Sequence, residues 1–339
     1  MSEPGSRVPR AVPPTVTVIG EALIDLVPRG APGDFRAVPG GSPYNVAVGL
    51  ARLGHRTSLM ARLADNAFGR LLRGHALAEG LDLSRAPRAA EPTTLAIVSL
   101  DAEAQAVYDF YHDRTADWQW TAAETARVPE DTAILHFGSL ASWTQPGDRH
   151  VHAAALASRR RGDVLVSYDP NVRPALLGEP ALARPRVERC VAAAHLVKAS
   201  REDVAWLYPG SAVETVGARW LELGAELVVI TDGPRGATLL RADAAPVHRP
   251  GRPIELADTV GAGDAFTSGL LGALIRRALH TPQALRAADA ARLAAAADDA
   301  ILVSALTCER VGADPPVAVS APDTMTDRLL LPTDLKFRG

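Results

Sequence analysis

Asp258-Thr-Val-Gly-Ala-Gly-Asp-Ala-Phe266 is the stretch of this 339-residue sequence that decides the fold. It opens a helix-like segment that runs from Ala262 to Leu279, so we predict a glycine-rich turn followed by a helix. Gly261 and Gly263 let the backbone turn sharply and approach a ligand closely. Since the first amides of a helix lack intrahelical acceptors and lie at the positive end of its dipole, this turn is predicted to bind an anion.

Asp264 is predicted to lie at the same positive helix end. A carboxylate directed at a hydroxyl group, beside a site for an anion, is the pairing that phosphoryl transfer to an alcohol requires. A purely structural alternative stays open at this stage, in which the turn is only a turn and Asp264 caps the helix.

A second glycine-containing turn, Pro39-Gly-Gly-Ser-Pro-Tyr-Asn45, opens an earlier helix. Gly40 and Gly41 would let a bound polyol approach the main chain, and Asn45 offers both a donor and an acceptor to hydroxyl groups. Asp25 lies among apolar residues of a predicted strand, where a carboxylate is costly to bury without polar partners such as sugar hydroxyls. The alternatives are that Asn45 caps the helix and that Asp25 occupies an exposed strand position.

Short apolar runs alternate with helical stretches along most of the chain, a pattern that predicts a parallel sheet with helices on both faces. Two segments, near 21–39 and 94–120, interrupt this alternation, and we predict that they form antiparallel strands of a small lid. The predicted organisation is one α/β domain over residues 15–320, a disordered tail over 1–14 and a C-terminal tail over 321–339.

The composition excludes several classes of protein. Hydrophobic residues make up 47% and charged residues 22%, which is ordinary for a globular chain. The net charge of −3 provides no basic field for nucleic acid or an acidic membrane. The two cysteines are too few for a disulfide framework, and the sequence has no export signal or membrane-spanning run, so we expect a cytoplasmic protein without nucleic-acid or membrane partners.

Taken together, Gly40–Asn45 and Asp258–Phe266 resemble the two signatures of the ribokinase-like (PfkB) carbohydrate kinases, and the resemblance extends from Thr15 to about Ala313. It implies a three-layer α/β/α sandwich with a mostly parallel central sheet and a small β-strand lid. It also implies transfer of the γ-phosphoryl group of ATP to a primary sugar hydroxyl. By this resemblance Asp264 is the catalytic base, the amides of Gly261, Ala262 and Gly263 form the anion hole, and Asp25, Gly41 and Asn45 contact the sugar.

The same resemblance extends to the nucleotide and the metal ions. Thr231-Asp-Gly-Pro-Arg-Gly236 resembles the nucleotide-binding turn of the family, and a family pattern associated with divalent metal has its counterpart in Ser200-Arg-Glu-Asp203. The implied ATP ligands are Thr231, Gly233, Gly236 and Thr259, and Asp258 lies beside the implied K⁺ site. Asp203 stands where the family has a longer glutamate, so the alternatives for Mg²⁺ are Asp203, Glu202 as a substitute, or binding through water. Independently of the resemblance, Lys198 ends a strand just before this pattern and could reach a nucleotide phosphate as a point charge.

Within the family, the sequence is most similar to bacterial fructokinases, which implies fructose as the substrate and Phe110, Arg114, Asn171 and Arg173 as further sugar contacts. His112 stands where fructokinases commonly have an arginine, so Arg114 is expected to act from a shifted position. The 2-keto-3-deoxygluconate kinases, other sugar or nucleoside kinases and a non-catalytic sensor on the same fold remain alternatives. A dinucleotide-dependent oxidoreductase is excluded, because Gly20 does not begin the required G-x-G-x-x-G. We also expect a homodimer formed through the lid.

Overall fold

The computed structural model of the chain describes residues 13–31, 33–100, 106–242 and 244–318. The predicted tails therefore lie outside the described residues, apart from Pro13 and Pro14. The strands, in chain order, are β1 (Thr15–Ile19), β2 (Leu23–Pro28), β3 (Phe35–Gly40), β4 (Thr57–Met60), β5 (Leu63–Ala64), β6 (Arg88–Ala89), β7 (Leu95–Leu100), β8 (Ala106–Tyr111), β9 (Thr132–Gly138), β10 (Leu165–Asp169), β11 (Leu196–Ser200), β12 (Leu227–Thr231), β13 (Ala237–Leu240) and β14 (Val247–Arg249).

The helices are α1 (Ser42–Arg52), α2 (Ala67–Ala78), α3 (Ala122–Thr125), α4 (Asp148–Arg161), α5 (Pro174–Leu177), α6 (Pro180–Ala192), α7 (Arg201–Leu207), α8 (Val213–Glu222), α9 (Ala262–Arg276), α10 (Pro282–Ala287) and α11 (Ala290–Cys308). Within the described part of the chain, no helix is both long enough and apolar enough to cross a bilayer.

Eight strands form the main sheet in the order β14-β13-β12-β11-β10-β9-β1-β4. The six strands from β12 to β4 run parallel, and only β13 and β14 at one edge are antiparallel. Because parallel strands need crossover helices, helices cover both faces of this sheet. The predicted three-layer α/β/α architecture is confirmed.

The two faces of the sheet belong to separate hydrophobic clusters. In β12, Leu227 and Val229 pack with α1, α9 and α11, whereas Val228 and Ile230 pack with α4, α6 and α8. This alternation follows from the two-residue period of a strand, and it explains why the strand sequence is apolar throughout.

A four-stranded lid, in the order β3-β2-β7-β8, stands apart from the main sheet. The two predicted lid segments therefore do pair with each other, but the prediction that all their strands are antiparallel is wrong. β2–β3 and β7–β8 are antiparallel hairpins, whereas β2 and β7 pair in parallel. The reason is that two separate hairpins join through their first strands, which run in the same direction.

Helix α9, which follows the decisive turn, packs closely along α11. A Cβ atom placed on Gly269 would lie 2.9 Å from Cα of Ala300 and 3.0 Å from Cβ of Val303. The helices can approach this closely because Gly269 has no side chain. This contact fixes α9 from behind while its first turn stays open at the edge of the sheet.

We predict that replacing glycine by alanine changes the stability in opposite directions at two helical positions, Gly269 and Gly74. Gly269→Ala should lower the free energy of unfolding by about 1 kcal/mol or more, because overpacking costs about 1–3 kcal/mol and exceeds the gain in helix propensity. Gly74→Ala, in the exposed part of α2 where a Cβ would meet nothing within 4 Å, should raise it by about 0.5–1 kcal/mol. Urea denaturation measures both, and equal increases would contradict the packing described for Gly269.

Candidate active site

The carboxylate of Asp264, in the first turn of α9, is held by the first turn of α1. The hydroxyl of Ser42 donates to Oδ1 at 2.6 Å, and the side-chain amide of Asn45 donates to Oδ2 at 2.9 Å. Gly261 is the N-cap of α9 and Gly41 that of α1, so neither Asp264 nor Asn45 is a capping residue. The capping role considered for each residue is therefore wrong, and the two sequence motifs meet at one carboxylate.

The environment of Asp264 makes its carboxylate a stronger base than an ordinary aspartate. Burial raises the pKa of Asp264, while the hydrogen bonds from Ser42 and Asn45 and the charge of Lys198 oppose that rise. The nearby charge of Asp169 acts in the same direction as burial. A higher pKa favours proton acceptance from an alcohol, which is the predicted role of this group.

The turn at the start of α9 is accessible to solvent, since Gly263 is exposed and its neighbours Gly261, Ala262 and Asp264 are only partly buried. Ala262 N–H donates to the carbonyl of Thr259 at 3.2 Å, so this member of the predicted anion hole is already occupied. Among the described residues, the amides of Gly261, Gly263 and Asp264 have no acceptor. Gly261 adopts a φ of 76°, and a Cβ there would lie 2.5 Å from Cβ of Ala313, so the turn requires glycine.

Asp25 lies on the lid face that is turned towards the main domain. It is in register with Ala96 of β7, which pairs in turn with Phe110 of β8. Directly paired residues of adjacent strands point to the same face, and Phe110 packs against the hydrophobic cluster of the main domain. Burial raises the pKa of Asp25 to about 6; the charge of Asp264 adds to this rise and the charge of Arg173 opposes it. The predicted lid and motif residues thus share one cleft.

The space for the Asp25 carboxylate is provided by Gly40. A Cβ on Gly40 would lie only 2.1 Å from Oδ2 of Asp25. Gly41, the next residue, has a φ of 103° and is the N-cap that precedes α1. The two glycines therefore have separate tasks, one making room for a side chain and the other turning the chain.

The loop after β10 brings Asn171 and Arg173 to the same cleft. Asn171 has a φ of 40°; its side-chain amide donates to Oγ of Ser139 at 3.0 Å, and its Oδ1 accepts from Nη1 of Arg173 at 2.9 Å. Both side chains are only partly buried, so both have surface left for a ligand.

Arg114 lies in the loop that follows β8 and is exposed, with a φ of 52°. Among the described residues it forms no ion pair or hydrogen bond. Its predicted contact with the sugar stays a prediction.

The predicted nucleotide-binding turn lies where β12 ends. Thr231 ends that strand, half-buried, and Gly233 and Gly236 both adopt positive φ angles in the turn to β13. Asp232 at the centre of the turn binds two guanidinium groups, those of Arg201 and Arg235, each within 2.6 Å. Glu202 on α7 also interacts electrostatically with Arg235, so these two guanidinium groups are balanced by two carboxylates. Thr259, the remaining predicted nucleotide contact, is exposed just before α9.

The predicted metal ligands have unequal freedom to bind an ion. Oδ1 of Asp203 accepts the amide of Val172 and Oδ2 accepts that of Ser200, both at 2.8 Å. Asp258 likewise accepts the amides of Val260 and Gly312. Both carboxylates therefore hold loops together in this structure.

Glu202, beside Asp203 in the first turn of α7, is exposed. The described residues contain no group of three or more His, Cys, Asp or Glu side chains able to hold a metal ion. Of the two predicted Mg²⁺ ligands, Glu202 is the one whose carboxylate forms no hydrogen bond within the described part of the chain.

Two carboxylates that the sequence analysis did not select lie buried at the base of the lid. Oε2 of Glu21 accepts the amide of Ala141 at 3.1 Å, and Oδ1 of Asp117 accepts the amide of Ala22 at 3.0 Å. The second oxygen of each has no partner among the described residues. Burial raises the pKa of each group to about 7.

The sequence analysis also did not assign roles to Ser42 and Asp169. Ser42 lies inside the second motif and is the first residue of α1. A serine next to a glycine does not by itself indicate a functional role. Asp169 is the last residue of a buried strand, and its Oδ2 accepts a hydrogen bond from Nζ of Lys198 at 2.9 Å. The available signal was that Lys198 is one of only two lysines and lies in an apolar strand.

A basic carboxylate beside unpaired amides, covered by a lid that presents polar side chains, suits proton removal from an alcohol next to an incoming phosphoryl group. Fold and site together define a phosphotransferase that acts on a hydroxyl group. The family model described as pfkB family carbohydrate kinase matches residues 14–318, and the chain belongs to this family.

Relatives of known activity agree with this assignment. The chain is 36% identical over 260 residues to a fructokinase of Rhizobium leguminosarum bv. trifolii, covering 75% of this chain and 78% of that protein. It is 33% identical over 314 residues to fructokinase-1 of Oryza sativa subsp. japonica, covering 88% and 93%. The crystal structure of fructokinase from Vibrio cholerae O395 bound to fructose, ADP and calcium ion superposes with a TM-score of 0.77 at 29% identity, covering 88% and 94%.

We predict that Glu21 makes stability depend on pH. Because its pKa is about 7 in the folded chain and 4.5 in a free side chain, the folded state keeps a proton that the unfolded state loses over this range. The free energy of unfolding should therefore fall as the pH rises from 4.5 to 7, by up to about 3 kcal/mol from this group. Glu21→Gln should flatten that slope in urea titrations, whereas Glu214→Gln, at an exposed position of α8, should not. Identical slopes in wild type and Glu21→Gln would contradict the assignment.

Proposed function

We propose that the protein is an ATP-dependent fructokinase that transfers the γ-phosphoryl group to the C6 hydroxyl of fructose. The observation that carries this proposal is the carboxylate of Asp264, hydrogen-bonded by Ser42 and Asn45 and adjacent to the unpaired amides at the start of α9. The similarity to fructokinases, one of them with fructose and ADP bound, supports the choice of sugar.

The sugar would bind between the lid and the main domain. Asp25 and Asn45 supply acceptors and a donor that match hydroxyl groups, and Phe110 closes the same face of the lid. Asn171 and Arg173 approach from the loop after β10. A hydroxyl placed beside Asp264 would lose its proton to this carboxylate as its oxygen attacks the γ-phosphorus atom, while the bond from that phosphorus to the β,γ-bridging oxygen breaks and ADP leaves.

ATP would lie along the turn that contains Thr231, Gly233 and Gly236, with its terminal phosphate at the first amides of α9. Because phosphoryl transfer passes through a loose transition state, the protein contributes mainly alignment and stabilisation of charge. The amides of Gly263 and Asp264 and the dipole of α9 serve the transferred group. Mg²⁺, when bound to the nucleotide, neutralises phosphate charge, and we propose Glu202 as the side chain that reaches it, whereas Asp203 positions the loop. We propose that a K⁺ ion, when present, lies beside Asp258, whose carboxylate orders the loop by accepting the amides of Val260 and Gly312.

A homodimer through the lid is the second part of this proposal. The lid has two edge strands, β3 and β8, whose outer backbone groups can pair with another chain. Large apolar side chains on it are exposed, among them Phe35 and Tyr111. Analytical ultracentrifugation at micromolar concentration would detect such a dimer. We place the protein in the cytoplasm, where ATP is available and its two free cysteines stay reduced.

The alternative to fructose is a different phosphoryl acceptor in the same cleft, and the position of Arg173 is the observation that favours it. Arg173 would suit the carboxylate of 2-keto-3-deoxygluconate as well as a neutral hydroxyl. Aminoimidazole riboside kinase from Salmonella enterica, at 26% identity and a TM-score of 0.74, represents a nucleoside acceptor on this fold.

We predict that Asp264→Asn abolishes turnover and keeps the fold. The amide has nearly the same shape but cannot accept the proton, so kcat should fall on the order of 10²–10⁴-fold. A coupled assay of ADP release measures kcat, and calorimetry should find nucleotide binding retained. Asp65→Asn, the same change at an exposed position, is the matched control and should leave kcat unchanged. More than a tenth of wild-type kcat in Asp264→Asn would remove this residue from the role of base.

The choice of sugar is tested with a panel of acceptors at saturating Mg-ATP. Fructose should have the highest kcat/KM among fructose, ribose, 2-keto-3-deoxygluconate, adenosine and aminoimidazole riboside. A site built to hydrogen-bond particular hydroxyls strongly rejects analogues that lack them. Phosphorus NMR of the product should place the phosphate on C6. A tenfold preference for another acceptor would replace fructose and leave the kinase assignment standing.

A further inference from the structure

Asp169, at the carboxyl end of β10, connects three parts of the proposed site. Its Oδ1 accepts the amide of Asn171 at 3.0 Å, and its Oδ2 accepts the Lys198 ammonium at 2.9 Å and the Thr267 hydroxyl at 3.4 Å. Thr267 lies one turn beyond Gly263 and also donates to the Gly263 carbonyl at 3.1 Å. One buried carboxylate thus joins the sugar loop, β11 and the start of α9.

Lys198 places a positive charge directly beneath the open helix end. Only 5% of the residue is exposed, and Nζ lies 3.1 Å from the position that a Cβ on Gly263 would take. An ammonium has three donors, and among the described residues Asp169 is its single side-chain acceptor. Nζ is thus ion-paired with Asp169 and lies next to Gly263, at the helix end where the terminal phosphate is proposed to bind.

The surrounding charges explain why this ammonium matters. Four carboxylates interact electrostatically in a chain, from Asp25 on the lid to Asp264 on α9, from Asp264 to Asp169 on β10, and from Asp169 to Asp203 on α7. Opposing them are two cations, Lys198 on β11 and Arg173 on the loop after β10.

His136 on β9 also faces this group, but burial lowers its pKa to about 4, so it adds no charge at neutral pH. Without Lys198 the cleft would hold four carboxylates against one guanidinium. The ionised form of Asp264 would then be less stable, and so would an incoming phosphate.

We propose, on the basis of the proposed function, that Asp169 is a positioning residue of the phosphoryl transfer. It fixes the Lys198 ammonium beneath the first turn of α9, where the ammonium keeps Asp264 ionised and attracts the transferred phosphoryl group. Through Asn171 the same carboxylate orders the loop that carries Arg173. The Asp169–Lys198 pair is thereby a component of the reaction machinery in addition to a support of the fold.

The test is kcat and its pH dependence in four variants at saturating fructose and Mg-ATP. The kcat profile is used because kcat/KM would also report Asp25 in the free protein. Lys198→Gln keeps a donor for Asp169 but removes the charge, so the acidic limb of the profile should move up by about 1 pH unit. Asp169→Asn releases the ammonium, so kcat should fall about 10-fold when Lys198 is present, whereas adding Asp169→Asn to Lys198→Gln should cost little more, because no ammonium is left to position. Lys198→Arg retains the charge and should keep the limb within a few tenths of a unit of wild type.

Dependence of the Asp169→Asn loss on Lys198 distinguishes positioning from simple structural support, which would lower kcat by the same factor with and without Lys198. An equal loss in both backgrounds, or an unmoved limb in Lys198→Gln, would overturn the proposal. If Asp169→Asn does not fold by circular dichroism, the comparison of Lys198→Gln with Lys198→Arg decides, and equal limbs in the two would overturn it. An inactive wild type would count against the proposed function instead, because the positioning role is judged only on an active enzyme.

Discussion

Helices α1 and α9 begin side by side at one edge of the sheet, and the hydrogen bonds from Ser42 and Asn45 to Asp264 join them there. The joined residues are 222 and 219 positions apart in the sequence. Their meeting therefore depends on the order of the parallel strands and on the close approach of the two helices, which Gly49 permits against Ser268. No local segment can form this site alone, so the site is a property of the folded sandwich as a whole.

The charge of the cleft sets the second constraint. Carboxylates suit the recognition of hydroxyls, and one of them must also act as a base, yet the second substrate is a polyanion. In the proposed arrangement, Asp25 of the lid lies on the sugar side. Backbone amides, a helix dipole and the buried ammonium of Lys198 lie on the phosphate side, where the ammonium offsets the charges of Asp169 and Asp203.

Much of this arrangement could be predicted from the sequence because glycine-rich turns and apolar strands have strong local signatures. The turn at Asp258–Asp264, the helix at α1 and the alternation of strands and helices all follow from local spacing. The parallel pairing of β2 with β7 could not be predicted in this way. The local sequence patterns describe each hairpin, but they fit a parallel and an antiparallel junction between the two hairpins equally well. The structural use of Asp203, which accepts two amides at 2.8 Å, and the occupied amide of Ala262 were also beyond sequence reasoning, since hydrogen-bond partners depend on tertiary distances.

The register of the lid has a consequence for how such a chain can vary in length. Asp25, Ala96 and Phe110 share one face because their strands pair residue by residue, and side chains alternate between faces with a period of two. Inserting one residue before Phe110 within β8 would turn the Phe110 side chain to the outer face of the lid and bring a neighbouring side chain to the inner face. Inserting two would restore the face and lengthen the cover. The lid can therefore be extended or shortened in pairs of residues without losing its inner surface, and single-residue changes must be confined to the turns.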